Sequence, residues 1–164
     1  MKKVLLTLAF GSLFAVSCSS VKKAESAQTS RAEFLKMKGD WEITSVNYDK
    51  GFQIKPFDEG ADAQCFVGSH WRLIPNNYSG AYTIKGGGNC PTVTQPIKFE
   101  VTRDNEFKFK KLVADNKAKN VTAGYILQIE KQDTDNFTLV QSVPFEGNVI
   151  KVYYNFVRTG MEQK

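Results

Sequence analysis

Eight short stretches in which apolar and polar residues alternate constrain this chain more than any other feature. Turn-forming residues separate them. Trp41, Ile43 and Ser45 share one face of the first stretch, Glu42 and Thr44 take the other, and Asp49-Lys50-Gly51 breaks it. Cys65–Leu73 predicts a second strand with Val67, Ser69, Trp71 and Leu73 in phase. Gly80–Lys85 predicts the third, stopped by Gly86-Gly87-Gly88, and Pro96–Arg103 the fourth, with Ile97, Phe99 and Val101 opposite Lys98, Glu100 and Thr102. Asp104-Asn105 reads as a tight hairpin into the fifth, Glu106–Leu112. Beyond the polar, loop-like Ala114–Asn120 come Gly124–Lys131, Phe137–Val143 and Asn148–Arg158, the last two joined through Glu146-Gly147-Asn148.

Period two over so many consecutive segments predicts antiparallel strands, and a row of strands leaves two open edges. Closure into a barrel removes both. The short hairpins from the fourth strand onward favour neighbour-to-neighbour order over a Greek-key sandwich. The expected fold is therefore all-β: an eight-stranded antiparallel up-and-down barrel over residues 33–160. A short helical turn, Arg31–Lys38, precedes it and is ended by Gly39. Eight strands enclose an interior large enough for side chains or one small ligand. The connection Phe52–Gln64, with Pro56 and Gly60, is long for a compact domain and reads as a functional loop over one barrel end.

The chain ahead of the barrel is of another kind. Met1-Lys2-Lys3 is a positive leader and Val4–Phe14 an apolar run too short to span a membrane. Ala15-Val16-Ser17-Cys18 follows and resembles the lipobox of bacterial lipoproteins, although such boxes more often carry Leu where Ala15 stands. Residues 1–17 are expected to be a signal peptide, with Cys18 the lipidated residue. Each buried methylene of an acyl chain adds about 0.8 kcal/mol of membrane affinity. Residues 18–32 read as a flexible tether, because Lys, Ala, Glu, Ser, Gln and Thr bury too little surface to offset ordering entropy. Residues 161–164 form a tail.

Losing Lys2 and Lys3 with the signal takes the formal charge from +5 to +3, too small for a nucleic-acid footprint. Lys108, Lys110 and Lys111 form the densest basic spot, and the first two alternate with Phe107 and Phe109 as the wet face of a strand. Cys65 and Cys90 remain after Cys18 goes to lipid, and an exported context favours a disulfide between them. Metal ligation lacks nearby partners, since the chain has one histidine and no closely spaced cysteine pair.

Gly39-Asp40-Trp41 stands at the mouth of the first strand, behind the short helical turn. Thr134-Asp135 lies between the sixth and seventh strands, and Arg158 ends the eighth. On these residues, over about Phe34 to Arg158, the chain resembles a lipocalin, and more narrowly the lipocalin-like lipoproteins of Bacteroidota-type bacteria. In that family Thr-Asp is often followed by aromatics, whereas Asn136-Phe137 follows here. The resemblance implies an arginine packed over the motif tryptophan. Phase supports this independently. Arg158 aligns with Ile150, Val152, Tyr154 and Phe156, and closure makes the first and last strands neighbours. The expected pair, Trp41 and Arg158, is a structural seal at the closed barrel end.

No constellation for catalysis is legible. His70 alternates outward on its strand, Ser69 lacks a strand–turn–helix setting, and Gly86-Gly87-Gly88 opens no helix. Asp58, Glu59 and Asp62 are too sparse to predict a metal site. The chain is therefore expected to be a binding protein, not an enzyme, and to need no cofactor. If the barrel holds a cavity, the in-phase residues near strand middles line it: Trp71, Phe99, Phe109, Tyr125, Leu127, Leu139, Gln141 and Tyr154. Gln141 either orients a ligand's polar end or faces solvent after a bulge shifts the phase.

Two functions fit. One is a membrane-anchored lipoprotein holding a small hydrophobic or amphiphilic molecule. The other is a filled barrel that meets another envelope protein through its long first loop. Ser19 after Cys18 resembles outer-membrane sorting, and the lack of acidic residues directly after the cysteine favours the periplasmic side over surface display.

Overall fold

The computed structural model describes residues 31–49, 51–112 and 124–160, with no account of the Asp58 side chain. The expected signal peptide, Cys18, nearly all of the tether, the Ala114–Asn120 loop and the tail lie outside the described residues. Residues 31 and 32, the end of the expected tether, belong to a helical stretch over 31–36.

Strands β1 (Gly39–Asn47), β2 (His70–Ile74), β3 (Ser79–Gly87), β4 (Cys90–Val101), β5 (Glu106–Lys111), β6 (Tyr125–Gln132), β7 (Asn136–Phe145) and β8 (Asn148–Gly160) follow in chain order. Each pairs antiparallel with its neighbour in sequence, and β1 pairs with β8, so the sheet closes on itself. The seam brings Trp41 opposite Arg158 on one side and opposite Trp71 on the other.

Several boundaries differ from the sequence expectation, most by one or two residues and a few by more. The second strand begins at His70, not Cys65, because Ala63–Phe66 forms a 3-10 turn. Gly68 then takes a left-handed φ of 77° before the strand starts. Val67 is accordingly exposed, not inward. Strand β4 starts at Cys90, six positions before the expected Pro96, and Gly86 and Gly87 extend β3 instead of stopping it. Pro144 lies within β7, near its hairpin end, opposite Val149. In β1 the register against β8 slips between Ile43 and Ser45, and the slip puts Val46 in the core where alternation predicted Ser45.

The interior is aromatic. Trp41, Trp71, Tyr82, Tyr154, Phe66, Phe107, Phe109, Phe137 and Phe156 head the fully buried side chains. Antiparallel order assigns the two ends. The starts of the odd strands and the ends of the even ones gather at the end that residues 31–38 cross. The opposite end receives the chain segment between β1 and β2.

Candidate functional site

The closed end is sealed by two wall residues, Trp41 and Arg158, tied to the helical entry and the β6–β7 turn. The Arg158 guanidinium lies 4.1 Å from the Trp41 ring centroid. Its three nitrogens donate to backbone carbonyls: Nε to Thr134 at 2.6 Å, Nη1 to Lys38 at 2.6 Å and Nη2 to Lys36 at 2.7 Å. The arginine thus ties the helical entry and the β6–β7 turn to the end of β8. Trp41 is 1% exposed, donates through Nε1 to the Met37 carbonyl at 2.9 Å, and packs edge-on against Phe137. Gly39 is required here: a Cβ would stand 2.5 Å from Arg158 Nη1, and its φ is 138°.

The open end is closed differently. The chain between β1 and β2 folds into the mouth instead of hanging over it. A backbone bond from Ala63 N–H to the Ile54 carbonyl, 2.8 Å, pinches the base of a compact loop. The Cys65–Cys90 disulfide staples that loop to the start of β4, with Cα atoms 5.4 Å apart. Ile54, Phe57, Ala61, Ala63 and Phe66 are all buried by this arrangement.

Phe57 is the plug. Its ring is 3% exposed and sits among four other rings: Phe109 at 5.1 Å, Phe66 at 5.3 Å, Tyr125 at 5.4 Å and Tyr154 at 5.5 Å between centroids. Its backbone is left-handed, with φ 58° and ψ 25°. That region costs a residue with a side chain about 1–2 kcal/mol.

Two residues on, Glu59 turns its carboxylate inward. Lys111 Nζ reaches it at 2.7 Å and donates to the Phe57 carbonyl at 2.9 Å. The Tyr82 hydroxyl donates to the same carboxylate. The Glu59 side chain is 8% exposed and that of Lys111 19%. Burial first, and then the Glu59 carboxylate, push the Tyr82 phenol well above its ordinary range. Lys111 is in phase with buried Phe107 and Phe109, so it belongs to the inner face of β5, not to a wet basic patch with Lys108 and Lys110.

The eight residues expected to line a cavity divide. Phe109, Tyr125 and Tyr154 meet around the Phe57 ring. Trp71 stacks on Tyr82 one layer below, and Phe99 stacks on Phe107 and touches Phe34 toward the closed end. Leu127 and Leu139 are buried in the core. Gln141 is half-buried and accepts from the Tyr154 hydroxyl at 2.9 Å. Strand β7 keeps its register against β8 throughout, so no bulge turns Gln141 outward.

Two open depressions flank these parts. One, about 400 Å³, lies at the mouth between the loop and the β7–β8 hairpin, where Phe52, Ile54, Gln141, Val143, Phe145 and Ile150 line it. A larger one, about 650 Å³, is bordered by Lys98, Glu100, Lys108 and Lys110 and also by Phe99, Phe109 and Tyr125, three of the residues expected to line a cavity. His70 and Ser69 form no catalytic pair. Ser69 is buried, donates to the Phe66 carbonyl at 2.6 Å and accepts from Trp71 Nε1 at 3.0 Å, while His70 is half-exposed beside Asp40 at 3.5 Å. Asp62 accepts from the Gln64 N–H at 2.9 Å, and among the described residues no group of acidic, histidine or cysteine side chains is placed to hold a metal.

Sequence reading missed Phe57, Glu59, Tyr82 and Lys111. The available signals were a lysine in phase with two phenylalanines and, in the long connection, the large apolar residues Ile54 and Phe57 flanking Lys55 and Pro56.

No family model and no curated protein matches the sequence. Among solved structures, the chain superposes on bovine odorant-binding protein in complex with a selenium-containing odorant. The identity is 11% and the TM-score 0.44, over 79% of this chain and 74% of that one. A deswapped triple mutant of the same bovine protein superposes at 12% identity and a TM-score of 0.40, over 75% and 74%.

Proposed function

We propose that this protein is a lipid-anchored binding module of the cell envelope. Its barrel takes a small hydrophobic or amphiphilic molecule at the seat that Phe57 fills. The Phe57 ring carries this reading. It occupies the centre of an aromatic cage, yet it is supplied by a loop and not by a wall. Its left-handed backbone makes seating the ring less favourable than burial alone would make it. A ligand of similar shape competes with a part that can leave. The anchor is read from the apolar run and Cys18, outer-membrane attachment from Ser19, and the periplasmic side from the lack of acidic residues directly after Cys18.

A titration with the neutral fluorophore N-phenyl-1-naphthylamine tests the seat. Wild type should bind it, and Phe57→Ala should bind at least tenfold tighter, because removing the ring empties an apolar space among four other rings, and apolar cavities accept apolar guests. A cooperative melt for both proteins with no binding by either would defeat the reading.

One observation favours a filled barrel that meets another envelope protein. Phe52 and Phe145 pack edge-to-face at the mouth, where Phe145 is 44% and Val149 61% exposed. If neither protein takes the fluorophore, this exposed rim becomes the functional surface, and Phe145→Ser with Val149→Ser should abolish partner capture without lowering the melting temperature.

A further inference from the structure

We propose that the molecule held in the barrel is an acidic amphiphile, an apolar body carrying one carboxylate, and that the Phe57–Glu59 segment is its internal mimic. The inference rests on the reading of the Phe57 seat as a ligand site and adds the ligand's charge and the residues that recognise it.

A barrel designed only to stay shut has no need of a cation inside. Lys111 nevertheless stands on the inner face of β5, in phase with Phe107 and Phe109, with its side chain four-fifths enclosed. Tyr82 stands on the inner face of β3 and is itself fully buried. Among the described residues neither finds its anion on the wall. Both find it on the loop: Lys111 Nζ lies 2.7 Å from Glu59 Oε1, and the Tyr82 hydroxyl donates to the same oxygen. The third contact, from Lys111 Nζ to the Phe57 carbonyl at 2.9 Å, ties ammonium, carboxylate and ring into one unit.

When the loop withdraws, the ring and the carboxylate leave together. The lumen then presents an aromatic cage of Phe66, Phe109, Tyr125 and Tyr154, with an ammonium and a phenolic hydroxyl beside it, both stripped of their acceptor. An unpaired cation in an apolar enclosure is strongly disfavoured. A neutral guest leaves it unpaired and a cationic guest adds repulsion. A carboxylate restores both hydrogen bonds, and its apolar body takes the place of the ring. Selection by charge thus follows from what the plug leaves behind.

Displacement of N-phenyl-1-naphthylamine by three probes of equal chain length, dodecanoate, 1-dodecanol and dodecylamine, tests this on the mature chain. Wild type should bind dodecanoate at least tenfold tighter than dodecanol, and dodecylamine most weakly. Lys111→Met should erase the preference by weakening dodecanoate at least tenfold while leaving dodecanol within about threefold. Glu59→Gln should tighten dodecanoate several-fold, because it weakens the internal competitor. Lys111→Arg, which keeps the charge, should keep the preference and serves if Lys111→Met does not fold. Equal binding of dodecanoate and dodecanol by wild type would overturn the proposed charge selection and leave the seat standing. Failure of every probe on wild type and on Phe57→Ala would overturn the seat and the ligand class together.

Discussion

The two ends of this barrel are closed with comparable completeness and by opposite means. At the closed end, Trp41 and Arg158 belong to paired strands, and the guanidinium is held by three backbone carbonyls and an indole face. The two sealing side chains belong to strands that must be present for the sheet to close, and they fasten the helical entry at Lys36, Met37 and Lys38 onto those strands. At the mouth, the seal is a loop residue in a left-handed conformation, an enclosed ion pair and a disulfide. None of these is needed to pair a strand. The first end is architecture, and the second, on the function proposed above, is an occupant. A cap that can be withdrawn without opening the sheet is the physical requirement for a gated lumen.

Substitutions should separate the ends, beginning with the largest effect. Trp41→Ala should cost about 3–5 kcal/mol, the range for removing a large buried aromatic side chain. Chemical denaturation should show that loss, while the dodecanoate-to-dodecanol preference of the folded protein stays as in wild type. A loss of preference would mean that the ends are not independent.

Replacing Cys65 and Cys90 by serine should cost about 3–4 kcal/mol on the loop-entropy account. It should also speed entry of the fluorophore in stopped-flow mixing, since the staple holds the plug at its base. Slower or unchanged entry would place the gate elsewhere.

The mouth should also be weak to alkali. Burial raises the phenols of Tyr82 and Tyr154 above their ordinary 10.0. Their contribution is fully present below pH 10 and is lost above it, where the unfolded chain releases protons that the folded chain retains. Each should add a slope of about 1.4 kcal/mol per pH unit above that point. Tyr82→Phe should remove one such slope in denaturation series between pH 9 and pH 11.

The smallest effect concerns the backbone of the plug. Phe57→Gly and Phe57→Ala both remove the ring, but only glycine accepts φ 58° freely. The glycine variant should be the more stable by about 1 kcal/mol. Equal stability would mean that the loop relaxes out of the left-handed region once the ring is gone.

Much of the barrel was legible, because alternation is a repeated signal and closure solves the edge problem for every strand at once. Trp41 and Arg158 were legible as neighbours for the same reason: their phases and positions follow from closure. The misplaced start of β2 shows the limit. Cys65, Val67 and Ser69 alternate like a strand, yet the turn at Ala63–Phe66 and the left-handed Gly68 serve the disulfide and the plug, which alternation does not encode. The slip at Ile43–Ser45 is of the same kind, a single bulge that moves Val46 inward.

The site itself was half legible. Phe109, Tyr125 and Tyr154 were in phase on three strands and do converge. Phe57 was not, because a loop residue has no phase and its burial depends on where the loop folds. Lys111 was hidden by its neighbours: beside Lys108 and Lys110 it reads as surface charge, and only its alignment with Phe107 and Phe109 sets it apart.

The most direct test of a removable seal reads Phe57 itself. With 4-fluorophenylalanine placed at position 57, saturating dodecanoate should move the fluorine NMR resonance from its buried position to that of a solvent-exposed ring. A second label at Phe137, beside Trp41, should not move. A resonance at position 57 that stays in place at saturation, or two labels that move together, would contradict the account.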